Sequence, residues 1–195
     1  DAAINNSVDY IGLVFYEESP RNISISNAKI LIRNRPKISK IVALTVNPSD
    51  NFLLEIKKNI EPDFIQLHGE EGPNRCKDIR EKINIPIIKG IGIENDMNIK
   101  YLIKPYEEIC DILILDAPSK ELPGGNGKKF DWEILKNHKS KKKWMLAGGL
   151  NINNISEAID ITKPPAIDIS SGLEKDKGTK DPQLIEDFVF KCRNL

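Results

Sequence analysis

The chain has 195 residues, enough for one domain with a sizeable core. Its hydrophobic fraction of 39% and charged fraction of 30% are those of an ordinary globular protein. Lys plus Arg and Asp plus Glu both number 29, so the formal net charge is zero. That argues against a nucleic-acid or anionic-membrane binder, but leaves room for a local basic site for one small anion.

Short, nearly continuous apolar runs alternate with amphipathic stretches along the whole chain. Tyr10–Phe15 (YIGLVF) comes first, and Ser26-Asn27 then precedes AKILIRNR, which stops before Pro36. Ile41–Val46 (IVALTV) follows, and Pro48 opens SDNFLLEIKKNI, because Pro in a first helical turn lacks only an N–H that would be unpaired anyway. Next come Phe64–Leu67 (FIQL) and the stretch NRCKDIREKIN opened by Pro73. Pro86–Ile93 (PIIKGIGI) and Asp111–Leu115 (DILIL) are further apolar runs, and Asp131 opens WEILKNH. Trp144–Leu146 (WML) precedes INNISEAIDI, led in by Asn151. Ala166–Ile169 (AIDI) is the last run, and Asp181-Pro182 caps and opens QLIEDFVFKC.

Runs of this kind read as buried parallel strands, and strict alternation implies a parallel sheet covered by helices. Seven β–α units follow one another with no linker, so residues 1–195 read as a single domain. A doubly wound open sheet has the same alternation; the placement of the polar signals favours a barrel.

Cys76, Cys110 and Cys192 are far apart, odd in number and without CxxC pairing. They read as reduced thiols of a cytoplasmic protein, not as a disulfide framework or zinc site. With two histidines in the chain and no ligand cluster, no metal is expected. No apolar run approaches the roughly 20 residues of a membrane span, and no signal peptide is visible. The opening Asp1-Ala2-Ala3-Ile4 reads like the middle of a helix, so the N-terminal end is expected to be incomplete.

In a barrel, chemistry collects at the C-terminal ends of the strands. After Phe15 stand Tyr16, Ser19, Pro20 and Arg21, and after Val46 stands Asn47. Further on come Gln66-Leu67-His68-Gly69, then Asp116, then Ala147-Gly148-Gly149-Leu150-Asn151, and finally Asp168-Ile169-Ser170-Ser171-Gly172. The last two glycine-bearing loops are the strongest local signal. Glycine lets the backbone approach closely, and free N–H groups bind a phosphate dianion. Each pair taken alone reads equally as a tight turn.

Asp116 ends an apolar run and opens a long loop, so it suits a general acid as well as it suits a loop cap. Arg21 suits a carboxylate clamp or a solvated surface position. His68 suits an acid/base role or a structural one. Gly124, Gly125 and Gly127 suit a lid that closes on substrate, or an ordinary loop. The run Lys139–Lys143 reads as a solvated turn at the opposite rim.

The stretches GLVFYEESPRNIS, FIQLHGEE, ILDAP…GGNGKKFDW, LAGGLNINNISEAI and DISSGLEKDKGTKD resemble, in that order, phosphoribosylanthranilate isomerase of tryptophan biosynthesis. The resemblance runs from the first residues to the last helix. It implies a (β/α)₈ TIM barrel and an Amadori rearrangement of N-(5-phosphoribosyl)anthranilate to the carboxyphenylamino-deoxyribulose phosphate, without metal or organic cofactor. It implies Asp116 as the general acid and Arg21 as the residue facing the anthranilate carboxylate. Gly148, Gly149, Ser171 and Gly172 match the family's phosphate cradle, and Gln66, His68 and Asp168 match positions lining the pocket. The partner implied is a phosphorylated small molecule, with the chain a monomer or homodimer.

The chain departs from the family at its start. The family's general base is a Cys in a Lys-x-Cys-Gly motif ending the first strand, and that motif is absent here. About 15 residues, holding the first barrel strand, its loop and a helix start, are expected to be missing from the chain, as judged against what one βα unit requires. The alternative reading is a non-catalytic phosphate-binding barrel module that lost its base; Asp116, Arg21 and the lid glycines count against it.

Overall fold

The structure, a computed structural model, describes residues 1–33, 39–94, 98–117 and 131–195. The three glycines read as a lid, Gly124, Gly125 and Gly127, lie outside the described residues. A short α1 (Ala2–Asn5) leads into β1 (Tyr10–Phe15) and α2 (Ile25–Ile32). There follow β2 (Lys40–Thr45), α3 (Asp50–Ile60), β3 (Phe64–Leu67), α4 (Pro73–Ile83), β4 (Ile87–Gly92), α5 (Ile99–Glu107) and β5 (Ile112–Asp116). A 3₁₀ turn (Trp132–Leu135), β6 (Lys143–Leu146), α6 (Ile155–Thr162), a hairpin of β7 (Glu174–Asp176) and β8 (Thr179–Lys180), and α7 (Pro182–Arg193) complete the order.

The six long strands pair in sequential order, β1 to β6, all parallel. A doubly wound sheet reverses its strand order partway, so this order selects the barrel. Residues 166–168 lie beside β6: Leu146 N–H donates to Ala166 O at 3.0 Å, and Asp168 N–H donates to Leu146 O at 2.8 Å. The expected strand Ala166–Ile169 is thus an isolated bridge. Among the described residues it is bonded to β6 through this single bridge.

Alternation of side chains along the strands separates two apolar layers. Val42, Ile88, Ile112, Ile114, Met145 and Ala147, with Tyr10, Phe64 and Ala166 beside them, fill the inside of the curled sheet. Residues of opposite phase, such as Ile41, Ile65, Leu67, Ile87 and Leu113, meet the helices on the outside. Each side chain fully buried there contributes about 1.5–3 kcal/mol.

The helices present matching stripes: Leu53, Ile56 and Ile60 on α3, and Cys76, Ile79 and Ile83 on α4. At the N-terminal rim Asp63 accepts from Ile41 N–H and Asp111 from Ile87 N–H, each at 2.8 Å. These bonds fix strand register at the end of the barrel away from the loops that carry the site.

Several helix starts differ from the expected ones. The α2 cap is Ser24, whose side chain accepts from Asn27 N–H, and not Ser26-Asn27. Pro48 lies outside α3, because Ser49 is the better cap and accepts from Phe52 N–H at 3.2 Å. The segment after Asn151 turns before it becomes helical: Asn151 and Asn154 bond across the turn at 2.8 Å, and α6 begins only at Ile155. In WEILKNH only Trp132–Leu135 is helical, as a 3₁₀ turn rather than an α-helix. Pro73 and Asp181-Pro182 open α4 and α7 as expected.

Candidate active site

The inward-facing phase of β3 that carries Phe64 also carries Gln66 and, just past the strand, His68. The same phase on β5 carries Ile114 and then Asp116. Because β3, β4 and β5 are adjacent, His68 and Asp116 meet across β4. His68 Nε2 lies 3.1 Å from Asp116 Oδ2, both side chains under one-tenth exposed. Gln66 Nε2 lies 2.9 Å from His68 Nδ1.

An amide nitrogen is only a donor, so Nδ1 accepts and the ring proton sits on Nε2, where it donates to the Asp116 carboxylate. Asp116 Oδ1 accepts from Ala117 N–H at 2.7 Å. Gln66, His68 and Asp116 thus form a directed chain of donors ending on one carboxylate.

Asp168, on the bridged segment next to β6, completes this wall. The residue is half-buried and lies within electrostatic reach of Asp116, His68 and Lys180. Burial pushes its pKa above the ordinary range, and the neighbouring Asp116 charge adds to that; His68 and Lys180 pull the other way. A buried carboxyl made harder to ionise beside a second carboxylate is a usual mark of acid/base chemistry.

The glycine loops follow β6 and the bridged segment, and their backbone geometry gives a reason for each glycine. Gly148 has φ +90°, and a Cβ there would lie 2.5 Å from Ala117 N and 3.1 Å from Asp116 Oδ1. Gly149 has φ +63°, and its carbonyl accepts from Asn154 Nδ2 at 2.9 Å. A Cβ on Gly172 would collide with the Leu150 carbonyl, so the two loops touch through backbone alone. No hydrogen bond from Gly149, Ser171 or Gly172 N–H is made among the described residues. These are the groups a phosphate would need.

Arg21 is not a solvated surface residue. Its Nε and Nη2 donate to Glu174 Oε1 and Oε2 at 2.6 and 2.8 Å, a bidentate pair whose side chains are 13% and 5% exposed. Lys180 Nζ also reaches Glu174 Oε1 at 2.7 Å, and Gly178 N–H reaches Oε2 at 3.1 Å. Burial works against the Glu174 charge, but the bonds from Arg21, Lys180 and Gly178 outweigh it and hold the carboxyl down at about 2. The β7–β8 hairpin therefore clamps the loop that carries Arg21.

None of the three cysteines joins the site. Cys76 lies in α4, Cys110 is buried ahead of β5, and Cys192 lies in α7. Among the described residues no group of His, Cys, Asp and Glu is arranged to hold a metal ion, and no helix is long and apolar enough to cross a membrane.

Residues that sequence reasoning left without a role are Glu71, Lys89, Glu174 and Lys180. Glu174 carried a signal, as the acidic residue of the SSGxE stretch. Lys89 carried another, as the one charge inside the apolar run PIIKGIGI.

The model of the family N-(5'-phosphoribosyl)anthranilate isomerase matches residues 1–191. Enzymes of that name from Paracoccus denitrificans and Brucella canis are 38% and 42% identical to the chain. The matches cover 98% and 96% of it, and 90% and 85% of those proteins. The solved phosphoribosylanthranilate isomerase of Thermotoga maritima superposes with a TM-score of 0.87 at 31% identity, over 100% of this chain and 92% of its own. A structure of such an enzyme in complex with reduced 1-(o-carboxyphenylamino)-1-deoxyribulose 5-phosphate superposes with a TM-score of 0.84 at 30% identity, over 100% and 92% of the two chains. The chain belongs to the N-(5'-phosphoribosyl)anthranilate isomerase family.

Proposed function

We propose that the chain carries the acid and binding machinery for the Amadori rearrangement of N-(5'-phosphoribosyl)anthranilate to 1-(o-carboxyphenylamino)-1-deoxyribulose 5-phosphate. The observation that carries this reading is the buried Asp116, held by His68 and Ala117 directly beside the Gly148–Gly149 loop. A phosphate bound at the backbone N–H groups of Gly149, Ser171 and Gly172 places a short phosphosugar within reach of that carboxyl.

In this reading Asp116 is the general acid that gives a proton to the ribose ring oxygen as the furanose opens to a Schiff base. Removal of the C2 proton then gives an enolamine, which tautomerises to the ketone. The substrate's own nitrogen takes up the electron pair, so no cofactor is required. His68 holds the Asp116 carboxylate after the transfer, and Asp168 presents a second, harder-to-ionise carboxyl to the same pocket. Arg21, fixed by Glu174, faces the anthranilate carboxylate. No cysteine of the chain is placed to take the C2 proton, so residues 1–195 account for ring opening and binding, not for the base.

The experiment is conversion of N-(5'-phosphoribosyl)anthranilate by the full-length protein, followed by loss of substrate fluorescence and by identification of the product. Turnover that yields the deoxyribulose phosphate supports the proposal. Phosphate-ester binding without turnover refutes it and leaves a binding barrel.

A further inference from the structure

Lys89 and Glu71 are both charged and almost wholly enclosed, with side chains 3% and 2% exposed. Lys89 belongs to β4, on the phase that points outward toward the helices. Its ammonium donates to Leu67 O at 3.2 Å, to Gly69 O at 2.7 Å and to Glu71 Oε2 at 3.0 Å. An ammonium has three protons, and all three are used. That leaves none for a substrate phosphate, and the group faces away from the pocket.

The two carbonyls it grips are those on either side of His68. Glu71 closes the arrangement from the other side. Its Oε2 also accepts from Gly69 N–H at 2.9 Å, and its Oε1 accepts from Asn47 N–H at 2.7 Å. Asn47 has φ +46°, and its side-chain oxygen accepts from Glu70 N–H at 2.9 Å. Gly90, the residue after Lys89, faces inward, and its missing Cβ leaves the space that the His68 ring occupies.

A buried ion pair is weak evidence for stability, since desolvation of both charges offsets most of the attraction. Its use here lies in what it orients. We propose that Lys89 and Glu71 are a positioning pair. They lock the peptide units flanking His68 so that its Nε2–H is held on Asp116, and they act on the chemical step through that contact. This rests on the reading of Asp116 as the acid.

The variants are Glu71→Gln, Lys89→Arg and Lys89→Met in the full-length protein. Two readouts are taken: kcat and KM for N-(5'-phosphoribosyl)anthranilate, and the ring ¹⁵N shifts of His68. Glu71→Gln keeps shape but cannot accept from Asn47, Gly69 and Lys89 together. A misplacement of this kind lowers kcat by on the order of tenfold to a hundredfold. KM should stay within about twofold, because phosphate and carboxylate contacts are untouched. The His68 shifts should move from a pinned Nε2–H tautomer toward exchange between tautomers.

Lys89→Arg, which can still bond both carbonyls, should recover kcat relative to Lys89→Met. If Lys89→Met does not fold, Glu71→Gln and Lys89→Arg carry the test. Unchanged His68 shifts in folded Glu71→Gln overturn the proposal, as does a parallel loss of KM and kcat that signals general loosening. Should Asp116→Asn retain turnover while Glu71→Gln still moves the His68 shifts, the acid assignment fails and the positioning of His68 stands.

Discussion

Replacing Glu174 by Gln tests whether the β7–β8 hairpin holds Arg21 by charge. Gln has the shape of the protonated acid, so the substitution imitates protonation at fixed geometry. The Glu174 carboxyl is held at about 2 against an ordinary 4.5. At 1.36 kcal/mol per unit that difference is about 3 kcal/mol of folding free energy. The cluster lies near water, with the Lys180 side chain 41% exposed. Solvent screening therefore trims the figure to about 2 kcal/mol.

For a domain of this size such a loss lowers Tm by roughly 4–8 °C. The sign follows from the depressed folded pKa. The stabilisation is fully present above 4.5 and is lost as pH falls from there toward about 2. Urea unfolding of both proteins across that window is the assay. The gap between wild type and Glu174→Gln should be widest near neutral pH and close as the solution is acidified. A gap that stays constant with pH would show that shape, not charge, holds the hairpin.

Gly148→Ala places a Cβ 2.5 Å from Ala117 N at a φ of +90°, a strain of about 1–3 kcal/mol. It should lower both thermal stability and affinity for inorganic phosphate, and a variant with unchanged phosphate affinity would remove this loop from the cradle. Arg21→Ala should raise KM for N-(5'-phosphoribosyl)anthranilate more than it lowers kcat, because the carboxylate contact exists before and during reaction; steady-state kinetics with KM unchanged would contradict that role. Burial lowers the pKa of His138, with Glu107 opposing, and its ring meets Trp144 edge-on at 5.2 Å. The unfolded chain therefore binds the proton more readily, so stability is full above 6.5 and declines as pH falls below it. An NMR titration of His138 with a midpoint at or above 6.5 would refute this.

The alternation of apolar runs and amphipathic stretches made the parallel sheet legible, because buried parallel strands need no period-two pattern. Alternation alone left the strand order open, since open sheets and barrels share it; the polar residues after the strands and the resemblance pointed to the barrel that the sequential order shows. The helix α5 went unread because Pro105 sits inside it, where Pro normally ends a helix. Strands of three and two residues, as in β7 and β8, are too short to show a period at all. Asp116, His68 and the glycine loops could be picked out as candidates because they follow strands in a barrel.

The partners of those residues were not. In a one-dimensional reading Glu71 looks like any solvated charge, and the signals at Lys89 and Glu174 name no partner. Their burial depends on pairings between segments 18 and 153 residues apart. The Arg21 clamp is the clearest case: spacing alone left Arg21 open between a clamp and a surface arginine, and only the bidentate pair with Glu174 shows that it is held and largely buried.

The most direct test of Asp116 as the acid compares wild type with Asp116→Asn in the full-length protein, measuring kcat for N-(5'-phosphoribosyl)anthranilate alongside affinity for inorganic phosphate. Asn keeps the shape and the bond from Ala117 N–H but has no acidic proton to give. The expected result is a fall in kcat of about 10²–10⁴-fold with phosphate affinity unchanged. Near-normal turnover by the folded variant would contradict the assignment.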